Sequence, residues 1–461
     1  MIVSAVMVPH PPIALKEVGH GEENKISATL QAYREAMSVI RDSQPETVIV
    51  LSPHALMYRD YFNISAGKDA YGDMGRFRAR KVSFHKEYDE EFTDALTHSL
   101  RDLGFPGGTE YDREPELDHG TMVPLYFLDQ VYTGYKLVRI GLSGLPLSLH
   151  YQLGQKIRET AELLNRRVAV IASGDLAHCQ KEDGPYGYRP EGPEYDRRIM
   201  ETMGTATFAE LFTYSPEFLN QSMECGHRAF VILAGILDRT SVVPHVLSHE
   251  STFGVGYGIV TYEICRQDET RNYLEQYEQQ ERLRIQAQRE QSDAYVRLAR
   301  SSVESYVNYG KVMRVPESLP EELYETQAGA FVSIHKDGEL RGCIGTIEPV
   351  QSSLAMEIIR NAVSACSRDP RFPAIEPSEL PYLEISVDVL GKPEVIPDKS
   401  YLDPKRYGVI CTCGRNRGLL LPDLEGVDTV DEQVSIACRK GQIDPYDDDL
   451  VLERFEVVRH V

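Results

Sequence analysis

Residues 168–178 read VAVIASGDLAH. Five apolar residues, Val168–Ala172, run on without alternation and end in a polar turn built around Gly174. A short continuous apolar run closed by such a turn is the pattern of a strand buried on both faces of a parallel sheet. Similar runs occur at Ile2–Val8, Thr47–Leu51 and Leu137–Leu142. Between them, stretches such as Lys25–Arg41 and Gln152–Asn165 predict helices. Strands alternating with helices make residues 1–265 an α/β domain, layered around a mostly parallel sheet.

The composition changes at Arg266. Residues 266–292, RQDETRNYLEQYEQQERLRIQAQREQS, contain no Gly or Pro and are almost all polar. They predict a solvated helical linker. A coiled-coil contact that would make the chain a homo-oligomer is the alternative, weakened by a thin apolar heptad. Tyr295, Leu298, Ala299, Ser302, Val303, Tyr306 and Val307 restore helical spacing and open a second domain, residues 293–461. It reads as α+β, with strands at 329–335, 383–389 and 450–458 and helices near 352–367 and 429–440.

The chain has 461 residues and a net charge of −22. Up to Cys265 there are 25 basic and 36 acidic residues, and 24 and 35 beyond it, so both halves are acidic and nucleic acid is not the expected partner. No run approaches the ~20 apolar residues of a membrane span. The opening MIVSAVMVPHPP lacks the basic-then-apolar order of a signal peptide, so a cytoplasmic location is expected. Eight cysteines without a CxxC pair predict reduced thiols rather than a disulfide scaffold.

Three of the predicted strands lead into residues that can hold a metal. Ile2–Val8 runs into Pro9-His10, Thr47–Leu51 into Ser52-Pro53-His54, and Val168–Ala172 into Ser173-Gly174-Asp175 and His178. Ligands of open α/β sheets bind beyond the carboxyl ends of the strands. Imidazoles from His10 and His54 with one anionic ligand would form a facial site suited to Fe(II), and Zn(II) would accept the same donors. Two more segments carry candidate groups: His119 begins a predicted helix, and Glu224-Cys225 precede the apolar helix Ala229–Leu237. His20, His85, His98 and His150 are expected on the surface. His227 reads as a polar helix-start residue, and His245 and His249 are minor candidates for lining a pocket.

The motifs PHPP, SPHA, DHGTMVPL and SGDLAH, in this order, resemble the LigB-type class III extradiol ring-cleavage dioxygenases and their Memo-like relatives. The resemblance implies that His10 and His54 bind the metal and that His119 and His178 act on substrate and oxygen. It leaves Glu224 or Cys225 as third ligand. Cys225 is favoured, because Cys-Gly followed by His-Arg and an apolar helix is closer to the Memo-like pattern. Asp175 fits a Memo-like Ser-Asp-x-x-His arrangement and would orient an imidazole. The implied activity is an Fe(II)-dependent oxidoreductase acting with O2 on a small catechol-like aromatic, with Zn(II) or Cu as alternative metals.

In the second domain LRGCIGT (340–346), SRDPRFP (367–373) and GLLLPDLEGVDTVDEQ (418–433) resemble the AMMECR family. This implies a fold and a candidate groove around Arg341, Gly342, Cys343, Gly345 and Thr346, but no reaction. Such domains accompany a radical SAM protein in AmmeMemoRadiSam systems, which makes that protein an expected partner. The chain has no CxxxCxxC run of its own for the cluster. Two other readings stand beside the oxidoreductase: a metal-binding Memo-like scaffold that recruits the radical SAM protein through the AMMECR-like domain, and a Zn-dependent hydrolase.

Overall fold

The protein is described from a computed structural model covering residues 1–113, 116–336, 338–424, 426–447 and 449–461. Glu425, inside the 418–433 segment, therefore lies outside the described residues. The chain divides into two compact units, Met1–Glu278 and Gln279–Val461, and the helix Tyr273–Gln291 spans the boundary.

The first unit contains strands β1 (Ile2–Val8), β2 (Thr47–Ser52), β3 (Phe62–Asn63), β4 (Asp69–Met74), β5 (Ala79–Glu87), β6 (Gly107–Gly108), β7 (Lys136–Gly141), β8 (Val168–Ser173), β9 (Thr240–Glu250) and β10 (Tyr257–Gln267). Six form one sheet in the order β7-β2-β8-β1-β10-β9. The four runs expected to be buried strands are its four parallel members, and β10 and β9 extend it antiparallel. The lack of alternation follows from helices on both faces. In β1, Ala5 and Met7 enter one apolar cluster while Val6 and Val8 enter the other. The helices Glu90–Asp102, Leu147–Leu163, Glu191–Thr205 and His227–Ile236 cover the first face, and Ser27–Ser43 and His119–Leu128 the second. Registers Val8↔Ser173 and Leu51↔Ala172 bring the carboxyl ends of β1, β8 and β2 to one edge.

The second unit contains β11 (Ala330–Lys336), β12 (Glu339–Gly345), β13 (Leu383–Leu390), β14 (Glu394–Ile396), β15 (Gly408–Cys413), β16 (Asn416–Leu420), β17 (Val451–Phe455) and β18 (Val457–His460). They make two antiparallel sheets, β12-β11-β13-β18 and β14-β17-β15-β16. The single strand expected at 450–458 is two strands, because the chain changes sheets at Glu456, whose carbonyl accepts from Gly391 N at 2.8 Å. The opening helix, Ala294–Tyr309, is capped by the Asp293 carboxylate on the Tyr295 and Val296 amides and stops at Gly310, with φ 65°. No helix among the described residues is long and apolar enough to cross a membrane.

Candidate metal centre

Parallel strands that end together deliver their following residues to one place. His10 after β1 and His54 after β2 meet with Nε2 atoms 3.0 Å apart. His119, in the first turn of the helix His119–Leu128, lies against both, its ring centroid 4.0 Å from that of His54 and 5.4 Å from that of His10. Ligand nitrogens of His10, His54 and His119 all lie within 4.8 Å of one another. His119, assigned above to substrate and oxygen, thus stands within the same donor cluster as the two strand-end histidines.

The buried His10 is held on every side. Its amide donates to Asp175 Oδ1 at 2.7 Å, and the preceding carbonyl, of Pro9, accepts from the Tyr33 hydroxyl. Its Nδ1 lies 2.9 Å from Ser173 Oγ, and that hydroxyl donates to the Gly120 carbonyl at 2.6 Å. With its proton committed, Ser173 can only accept, so Nδ1 carries the hydrogen and Nε2 presents a lone pair to the cluster. The helix that carries His119 starts at Asp118, which accepts from the Thr121 amide and from Ser52 Oγ at 2.5 Å, with the fully buried Arg139 guanidinium 3.6 Å away.

The two neighbours Glu224 and Cys225 face opposite ways. Glu224 Oε2 accepts from the His227 amide at 2.6 Å, capping the apolar helix His227–Ile236. Cys225 Sγ lies 3.6 Å from His10 Nε2 and 3.7 Å from the Asp175 carbonyl. Glycine makes this approach feasible: a Cβ on Gly174 would fall 2.2 Å from the Gly226 Cα. The SGD and CGH turns therefore pack backbone to backbone, which sets the sulfur beside His10.

Burial sets the electrostatics. It lowers His10 well below the ordinary histidine value, with His54, His119 and His178 adding repulsion, and it also lowers His54. Burial brings His119 and His178 each down to about 4. All four imidazoles are neutral at pH 7, the form that binds metals. Asp175 and Glu224 are pushed up to about 7 by burial, and the Cys225 thiol is raised well above its usual value by burial and then by Asp175 and Glu224. A divalent cation would relieve this strain on the anionic forms and fits the donor set.

His178 leaves the sheet edge on the SGDLAH turn, its ring 5.3 Å from that of Tyr186, and its Nε2 is buried with no hydrogen-bond partner among the described residues. A cavity of about 780 Å³ opens at the cluster, lined by His54 and His119, with the β4–β5 hairpin forming a wall. Phe77, at the hairpin turn, meets the His119 ring edge to face at 5.4 Å.

Other histidines divide as follows. His20, His85 and His98 are exposed. His150 is not: it is fully buried, its Nδ1 hydrogen-bonded to the Pro146 carbonyl at 3.0 Å, and it packs edge-on to Phe62. His227 is buried and bonds the Leu211 carbonyl through Nε2. His245 and His249 lie on β9, where His249 pairs with Asp196 at 2.8 Å. Sequence reasoning gave no role to Ser173, Tyr33, Phe77 or Tyr186. Ser173 sat in a quoted motif, but nothing in the sequence paired Tyr33 with Pro9.

In the second unit, Cys343 and Gly345 line a cavity, while Arg341 is engaged by Glu379 at 3.0 Å and by the Pro373 carbonyl. Gly342 packs on the Ala365 backbone, and Thr346 donates to Glu357 at 2.6 Å.

Residues 4–260 match the family model described as the catalytic LigB subunit of aromatic ring-opening dioxygenase, and residues 296–460 match AMMECR1. Protein CA_C1420 of Clostridium acetobutylicum is 38% identical over 462 residues, covering 98% of both chains. A Thermotoga maritima protein is 54% identical over 167 residues, 36% of this chain and 96% of its own. The crystal structure of the uncharacterized protein PH0010 from Pyrococcus horikoshii, 32% identical, covers 37% of this chain and 90% of its own, with a TM-score of 0.35.

Proposed function

For a chain that belongs to the LigB family and continues into an AMMECR1 domain, we propose an Fe(II)-dependent oxidoreductase that acts with O2 on a catechol-like aromatic. The observation that carries this reading is the convergence of three neutral imidazoles, with nitrogens within 4.8 Å, two of which, His54 and His119, line a cavity of about 780 Å³. His10 and His54 would hold the metal, with Cys225 as the anionic third ligand. Bound iron would supply a Lewis acid for two phenolic oxygens and a route for electrons from the catechol, the reductant, to O2.

The chain's own groups do the rest. Ser173 fixes the His10 tautomer, so the donor nitrogen needs no proton loss before binding. His178, neutral and unpartnered at Nε2, can accept a phenolic proton and then stabilise negative charge on oxygen. His119 is a neutral base that lines the cavity, and Phe77 supplies an apolar surface for an aromatic ring.

Redox work other than ring cleavage at the same Cys225-ligated site is the second reading. It is favoured by the turn that directs the Cys225 sulfur to His10 and commits Glu224 to a helix end. Protein purified anaerobically and loaded with Fe(II) separates the two. Oxygen uptake with a ring-cleavage chromophore from a catechol panel is the expected result. Tight iron binding with no oxygen uptake across the panel would replace ring cleavage with the second reading.

A further inference from the structure

His178 leaves a turn whose backbone is tied down residue by residue. Ala177, just before it, donates its amide to Asp196 Oδ1 at 2.9 Å, and its carbonyl accepts from the Gly256 amide at 2.9 Å. Leu176 donates to the Gly256 carbonyl at 2.9 Å, and Gln180 to that of Gly254 at 3.1 Å. Of these four ties, only that of the Ala177 amide ends on a side chain, which comes from the helix Glu191–Thr205.

Asp196 is built into place for that contact. It is 1% exposed, and its Oδ2 lies 2.8 Å from Nε2 of His249 on the edge strand β9. A carboxylate only accepts, so His249 carries its hydrogen on Nε2 and donates it. Gly256 makes the room, since a Cβ there would fall 2.0 Å from Asp196 Oδ2. Burial raises the Asp196 pKa, and the bonds from His249 and the Ala177 amide oppose the shift. Burying a carboxylate is costly, but hydrogen bonds to it are about twice as strong as neutral ones. The Ala177 amide is thereby held more firmly than a further backbone contact would hold it.

We propose that Asp196, held by His249, is a positioning residue for His178. By fixing the Ala177 amide it sets the direction in which the next residue's imidazole leaves the turn. The inference rests on the reading of His178 as proton acceptor. It adds two residues that belong neither to the donor cluster nor to the cavity lining.

The test is histidine titration by NMR on the full-length protein freed of metal by a chelator. It needs no turnover, so its outcome is separate from that of the catechol assay. In the wild type His178 and His119 should both titrate near 4. Asp196→Ala releases the turn and lets water reach His178. Its midpoint should then rise by about one pH unit or more towards 6.5, a 10-fold change in proton affinity, while His119 stays. Asp196→Asn removes the charge but keeps an acceptor for Ala177, so His178 should keep its wild-type value. His249→Ala should move His178 in the same direction as Asp196→Ala, and it decides the matter if Asp196→Ala does not fold. An unmoved His178 in the alanine variants, or a wild-type His178 already near 6.5, would overturn the proposal. So would a shift in Asp196→Asn equal to that in Asp196→Ala, which would make charge and not position the cause, or a parallel shift of His119.

Discussion

Ser173 holds His10 by accepting at 2.9 Å from Nδ1 while giving its own proton to the Gly120 carbonyl at 2.6 Å. The hydroxyl therefore connects the end of β8, the histidine after β1 and the helix that bears His119.

Ser173→Ala should weaken metal binding about 10- to 100-fold, the usual cost of losing a group that orients a ligand. Competition against a fluorescent chelator reads this directly. A wild-type affinity in the folded variant would show that Ser173 does not set the His10 tautomer.

Cys225→Ala should lower metal affinity at least about 10-fold, since losing a ligand costs no less than losing its support. Glu224→Gln, whose amide oxygen can still accept from the His227 amide, should leave both metal content and stability near wild type. The reverse pattern, with metal lost only in Glu224→Gln, would make Glu224 the ligand.

Gly174→Ala should destabilise the first unit by about 1–3 kcal/mol, because the new methyl group has no room against the Gly226 backbone and the Phe230 ring. It should also release metal, since separating the two turns moves Cys225. Gly134→Ala, whose Cβ would meet nothing closer than 3.4 Å, is the control and should do neither. Similar melting temperatures for the two variants would remove the packing argument.

Stability should fall on acidification. Burial lowers His150 and His227 each to about 3 in the folded chain, whereas an unfolded histidine titrates near 6.5. Between those values the unfolded state binds more protons, so stability is full above about pH 6.5 and is lost as pH falls towards 3. Each residue contributes a slope of about 1.4 kcal/mol per pH unit in that window. Urea titrations from pH 7 to pH 5 should show His150→Gln with a flatter dependence than wild type. Parallel curves would mean that His150 keeps its ordinary pKa.

The parallel strands were legible because burial on both faces leaves an uninterrupted apolar run, as in Val168–Ala172. The β4–β5 hairpin was not: DAYGDM and ARKVSFHKE are largely solvated and carry no such signal, yet they wall the cavity. The strand-end histidines were legible from their place after apolar runs. Between Glu224 and Cys225 the sequence favoured Cys225 only through its likeness to the Memo-like pattern, because adjacent residues differ only in direction. That direction depends on Met223 at φ 55°, the glycine contact and the helix end waiting for Glu224. His150 misled because a polar residue on a helix suggests solvent, whereas here a carbonyl one turn back satisfies its ring.

The position of β1 bears on how the protein is made. β1 leaves the ribosome before its neighbours β8 and β10, so both its edges stay open until residues 168–173 and 257–267 have been synthesised. At ~5–20 residues per second, that wait is on the order of 10 to 50 s. During it, IVSAVMV is an unpaired, uncharged apolar segment able to pair with any other open edge. Nascent chains shorter than about 267 residues should therefore bind chaperones or aggregate, and release from chaperones should coincide with the arrival of β10.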